Sequence, residues 1–73
     1  MNVLRIDLDN GSFYTLEQIE DDIKQGRSKY LMVLNHFSAN GDHTILTKTF
    51  SVDSEHEAKE EFHNFMFYLC RNN

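Results

Sequence analysis

Hydrophobic and polar positions alternate most clearly between Lys29 and Val52, KYLMVLNHFSANGDHTILTKTFSV. Two runs of β-branched, aromatic and aliphatic residues flank Asn40-Gly41, a dipeptide that reaches positive φ at little steric cost. The pattern predicts a long antiparallel hairpin at the centre of a small sheet, with its tip at Asn40-Gly41. A two-residue loop would pair Ala39 with Asp42, Phe37 with Thr44, Asn35 with Leu46, Val33 with Lys48 and Leu31 with Phe50. That face carries Leu31, Val33, Phe37, Leu46, Phe50 and Val52, and is assigned to the core. The other face then holds Tyr30, Met32, Leu34 and Ile45 among Thr47, Thr49 and Ser51. Alternation is clean on the second run and blurred on the first.

Before the hairpin, Leu4, Ile6 and Leu8 alternate with Arg5, Asp7 and Asp9, which predicts a first strand ended by a turn at Asp9-Asn10-Gly11. Phe13-Tyr14 reads as a short extended return. From Thr15 the spacing changes. Thr15 and Gln18 have the separation of a capping box, Tyr14 and Ile19 that of a hydrophobic staple, and Leu16, Ile19 and Ile23 make a narrow helical stripe. Gly26 stands where a helix would end. A last helix opens at Ser54 with a second box, Ser54 and Glu57. Ala58, Phe62, Phe65, Met66 and Leu69 fall on one arc of it, while Phe67 lies opposite and Tyr68 and Cys70 on the flanks.

The expected fold is therefore α+β, a small two-layer domain of order β-α-β-β-α. Its sheet would be mostly antiparallel and three-stranded, with a fourth strand if Phe13-Tyr14 pairs. Two helices would cover one face. A right-handed crossover would set the first strand parallel to the second, and the connection is long enough to permit other arrangements as well.

Composition narrows the function. Residues 1–73 form a single domain with a thin core. One cysteine excludes an internal disulfide framework and favours a reducing compartment, so the expected location is cytoplasmic. The opening MNVLRIDLDNG has acids inside its apolar run and does not read as a signal peptide. Twelve acidic residues against seven basic give a net charge of −5, which argues against direct nucleic-acid binding. No stretch suits a membrane span.

Chemistry-bearing clusters are few. His56, Glu60 and His63 have helical spacing, but the two histidines stand about 10 Å apart along the axis, too far to share one ion. Ser38, Asp42 and His43 share a hairpin tip, which offers neither a pocket nor an oxyanion hole. The DLDNG run lacks the distal bidentate carboxylate of a calcium loop. No catalytic residue, metal or cofactor is expected. In size, charge and lack of a site the chain is similar to small phage- or mobile-element-encoded inhibitor proteins, including anti-defence proteins. That likeness implies action in a host cytoplasm.

The reading is a non-catalytic, protein-binding module that occupies a partner, such as a basic nucleic-acid-binding protein. The alternatives are a homodimeric accessory protein and a small metal-dependent enzyme. Two surfaces are the candidates. One is acidic: Glu17, Glu20, Asp21 and Asp22 on the first predicted helix with Glu55, Glu57, Glu60 and Glu61 on the last, sharing one outer surface if both helices lie on the same side. The other is an apolar patch for a partner or a dimer: Tyr30, Met32, Leu34, Ile45, Phe67 and Tyr68.

Overall fold

The computed structural model describes residues 1–22 and 26–71, with backbone alone at 21, 22 and 70. Its order is β1 (Asn2–Asp7), β2 (Phe13–Asp22), β3 (Arg27–Phe37), β4 (His43–Val52) and α1 (Glu55–Arg71). The strands form one antiparallel meander, β1-β2-β3-β4. The expected β-α-β-β-α order with a three-stranded sheet and two helices is thus corrected to four strands and one helix. β1 pairs antiparallel with β2, which lies between it and β3, so β1 runs parallel to the strand expected second without pairing with it.

The segment from Phe13 to Asp22 is a strand because both of its neighbours satisfy its backbone. Leu16 lies between Leu4 and Met32, and Tyr14 between Ile6 and Leu34. Tyr14 and Leu16 are fully buried. A helix there would have buried only a narrow stripe, whereas a strand in the sheet interior buries one face and bonds along both edges. Ile19 of the expected stripe is 45% exposed, next to a register shift between Gln18 and Glu20. Ile23 lies outside the described residues. Gly26 takes a left-handed conformation (φ +67°), but next to the start of β3.

The β3–β4 register is one residue away from the expected one. Phe37 pairs with His43, Leu34 with Leu46 and Tyr30 with Phe50. The loop is longer than two residues. Ser38 N–H donates to Asp42 O at 2.9 Å, Gly41 N–H to Ser38 O at 3.0 Å, and Gly41 sits at φ +90°. Asn40 keeps negative φ. This is the three-residue hairpin loop, a turn followed by a left-handed residue, rather than a primed two-residue turn. Leu8 N–H to Ser12 O and Gly11 N–H to Leu8 O repeat it between β1 and β2, with Gly11 at φ +92°. The Asn10 amide donates to Phe37 O and the Ser12 hydroxyl accepts from Phe37 N–H, which ties the first loop to the end of β3.

A shift of one residue sends the other face of a strand inward. Tyr30, Met32 and Leu34, expected on the second face, are the buried residues of β3, and with Tyr14, Leu16, Ala58 and Phe62 they form the core. Leu31, Val33 and Phe37, expected in the core, lie on the opposite face and are half-buried. For β4 the expectation holds, since Leu46, Phe50 and Val52 pack against the core. Tyr30 stacks on Phe50 with ring centroids 6.0 Å apart. Within the core, Tyr14 Oη and His36 Nδ1 are 2.8 Å apart, so two buried polar groups satisfy one another.

The last helix forms as expected. Glu57 N–H donates to Ser54 Oγ at 3.2 Å, and the Glu57 carboxylate accepts from Asp53 N–H at 3.3 Å, one residue before the partner a standard capping box would use. Ala58 and Phe62 are fully buried, with Phe65, Met66 and Leu69 packed around them.

Phe62→Ala should cost about 3–5 kcal/mol. That is much of the total for a chain of this size, and a urea melt should find the variant largely unfolded at 37 °C. Gly41→Ala forces a side chain into a left-handed backbone and should cost about 1 kcal/mol or more. The same melt reads it as a lower midpoint at unchanged slope.

Candidate functional site

α1 covers one face of the sheet, and among the described residues no element packs on the other. In register, that second face carries a row of Phe13, Asn35 and Ile45, then Thr15, Val33 and Thr47, then Glu17, Leu31 and Thr49. Phe37 and His43 stack at 4.4 Å, nearly parallel, at the turn end. At the β1 border the Arg5 guanidinium lies 4.7 Å above the Phe13 ring and bonds Asp7 at 2.9 Å. Hydrogen bonding to Arg5 holds the Asp7 carboxyl below the usual carboxylate range, and the same bond raises Arg5 further. The result is an apolar and threonine-rich surface with an ion pair along one side.

The expected apolar patch is only partly assembled. Ile45 is exposed on this second face at 58%. Phe67 and Tyr68 are exposed on α1, at 66% and 65%. Tyr30, Met32 and Leu34 are interior and cannot touch a partner, a correction that follows from the register. Their place is taken by Phe13, Leu31, Val33 and Phe37. No pattern in the chain singled them out: the clean alternation of β4 marks its own core side, and only the observed register puts the odd positions of β3 beside its polar ones.

The acidic surface is also divided. Glu17 and Glu20 lie on β2, paired with Leu31 and Lys29 on the face away from α1, whereas Glu55, Glu57, Glu60 and Glu61 are exposed on α1. The side chains of Asp21 and Asp22 lie outside the described residues. The shared outer surface expected from two helices on one face is therefore replaced by two acidic groups on opposite layers. Two acids have local counterions, Met1 N at 3.7 Å for Glu17 and Lys59 at 3.5 Å for Glu55, and His56 Nε2 lies 3.2 Å from the Glu60 carboxylate.

Other clusters make no reactive arrangement. Ser38 Oγ accepts from Asp42 N–H and bonds the Asn40 side chain, so it is part of the turn. His43 lies on Phe37 rather than behind a carboxylate. His56, Lys59, Glu60, His63 and Asn64 line an open depression on α1. Among the described residues, no three His, Cys, Asp or Glu side chains are placed to hold a metal ion. The Cys70 side chain lies outside the described residues. Among the described residues, no helix is long and apolar enough to cross a membrane.

Comparison of the chain with protein-family models, with curated proteins and with solved structures gives no match.

Equimolar zinc should leave the melting temperature unchanged, because ligand binding stabilises the folded state only when the site binds. An upward shift of several degrees would show that the folded protein binds zinc. Asp7, whose folded pKa is depressed, favours the folded state above its unfolded value and loses that contribution as pH falls through the folded one. Arg5→Gln should move the Asp7 titration midpoint upward in NMR, and an unmoved midpoint would show that the pair contributes nothing.

Proposed function

We propose that the protein is a non-catalytic binding module that occupies a partner protein through the sheet face opposite α1. The observation that carries this reading is the row of Phe13, Leu31, Val33, Phe37 and Ile45 on a face that no described element of the chain covers. Monomeric proteins rarely leave a contiguous apolar surface of several hundred square ångströms without an interaction to match. The partner that fits is basic, such as a protein that itself holds nucleic acid. A net charge of −5 would steer such a partner in, with Glu57, Glu60 and Glu61 on one layer and Glu17 and Glu20 on the other. The hydroxyl of Ser38 and the ring of His43 are engaged within the hairpin end, which supports binding over turnover.

Immobilised protein should retain a basic nucleic-acid-binding protein at low salt and release it as salt screens the charges. Val33→Lys and Ile45→Lys should each weaken retention by roughly tenfold, an effect worth about 1.4 kcal/mol. Glu57→Lys with Glu60→Lys should slow association more than it speeds release. Retention unaffected by either apolar-face variant would overturn the reading.

A further inference from the structure

The two edges of the sheet differ. β1 is six residues long, contains a register shift between Asn2 and Leu4, and carries Arg5 and Asp7. Short length, bulges and charge are the usual ways to blunt an edge. β4 has ten residues in unbroken register with β3, no proline, and Lys48 as its only Lys, Arg, Asp or Glu. Its hydrogen-bonding parity follows from the loop. Ser38 N–H bonds inward to Asp42 O, and the return bond to Ser38 O comes from Gly41 N–H, so this is a hydrogen-bonded position of the ladder. Bonded pairs alternate, so Thr44, Leu46, Lys48, Phe50 and Val52 bond inward to β3. The N–H and C=O groups of His43, Ile45, Thr47, Thr49 and Ser51 therefore point outward from the sheet edge.

The helix presents a matching feature on the same side. The Lys48 ammonium sits 5.4 Å from the Phe65 ring centre, and Tyr68 packs beside Phe65 at 6.5 Å. This flank of α1 thus faces β4 and the edge beyond it. At 100° per residue, Glu57, Glu61, Asn64, Tyr68 and Arg71 run along it in one stripe, spaced four, three, four and three. All five are exposed. Read antiparallel about Asn64, the stripe is self-complementary. Glu57 meets Arg71 of a second copy, the Glu61 carboxylate meets the Tyr68 hydroxyl, and Asn64 meets Asn64.

The two features share one axis. Asn64 stands about 14 Å past the start of α1 at 1.5 Å per residue. Thr47 stands about 16 Å back from the end of β4 at 3.3 Å per residue. The helix returns along the strand, so the two are level. Pairing β4 with β4 of a second copy about Thr47 places Ile45 opposite Thr49 and His43 opposite Ser51, and every outward backbone group bonds. That makes about ten hydrogen bonds, the number of a typical specific interface. α1 lies nearest β4 and β3. With strands about 4.8 Å apart, the two helices come to lie roughly 10 Å apart, within helix-packing distance.

We propose that two copies of this chain form a twofold dimer through their β4 edges, with one continuous eight-stranded sheet and an antiparallel pair of α1 helices on one face. The dimer does not rest on the partner reading: it engages Glu57 and Glu61 of the steering acids and leaves the opposite sheet face open.

Light scattering after gel filtration at 500 µM and sedimentation equilibrium test it. The wild-type protein should be a dimer. Thr47→Pro removes an N–H that points outward in the monomer, so a circular dichroism melt should stay cooperative while the dimer is lost. Arg71→Glu should weaken the dimer at least tenfold, and adding Glu57→Arg should restore it. A wild-type monomer at 500 µM overturns the proposal. So does a dimer that survives Thr47→Pro, or one in which Arg71→Glu changes nothing. A dimer abolished by Val33→Lys but not by Thr47→Pro places the contact on the open sheet face and also overturns it.

Discussion

Gly41 adopts φ +90° directly after a turn that its own N–H closes on Ser38, and the pairing of β3 with β4 follows from that extra loop residue. Every cross-strand pair from Phe37–His43 to Ser28–Val52 depends on it. A side chain there would meet no steric obstacle, since a Cβ at that position has open space for 4 Å around it. The constraint is in the backbone, where a left-handed conformation costs an L-residue about 1–2 kcal/mol and costs glycine little. Because strand side chains alternate with period two, this choice puts Tyr30, Met32 and Leu34 under the helix and Leu31, Val33 and Phe37 on the opposite side.

One helix covers one face of a four-stranded sheet, and the functional proposals follow from what it leaves. The chain is long for its size, with extents of 46 × 20 × 15 Å. Ten-residue strands make a sheet longer than the 17-residue helix, which at 1.5 Å per residue spans about 25 Å. The second face retains apolar side chains among threonines, and the β4 edge retains its outward backbone groups. In the proposed complexes these surfaces would recognise in different ways. The face uses side chains and desolvation, which suits a partner of complementary shape and charge. The edge uses backbone bonds, which any extended strand can supply, and takes its selectivity from the helix stripe above it.

Acidic residues serve separate roles that composition alone merges. Glu57 caps the start of α1, Glu55 and Glu60 pair along the helix, and Asp7 and Asp53 bind Arg5 and Arg27. These pairs are exposed, so each contributes little to stability. Their effect lies in the long-range field, which is set by net charge and persists whichever layer a residue occupies.

The sequence by itself determined the elements whose signals are local. The N-terminus of α1 was legible at Ser54 and Glu57, because a cap satisfies its own backbone within one turn. Its buried arc was legible from Ala58 to Leu69, because helical periodicity needs no partner. The turns at Asn10-Gly11 and Asn40-Gly41 were legible because glycine alone tolerates those angles cheaply. The core side of β4 was legible because its alternation is clean. Only the tertiary structure decided that Phe13–Asp22 is a strand. A Thr15-to-Gln18 spacing and three aliphatics fit a helix in isolation, but pairing with β1 and β3 bonds both edges of the segment and buries Tyr14 and Leu16 completely. Only the tertiary structure fixed the register of β3, since both of its faces are apolar and either could be core. A one-residue difference in loop length is smaller than any pattern in the chain resolves, yet it reverses which side chains meet water.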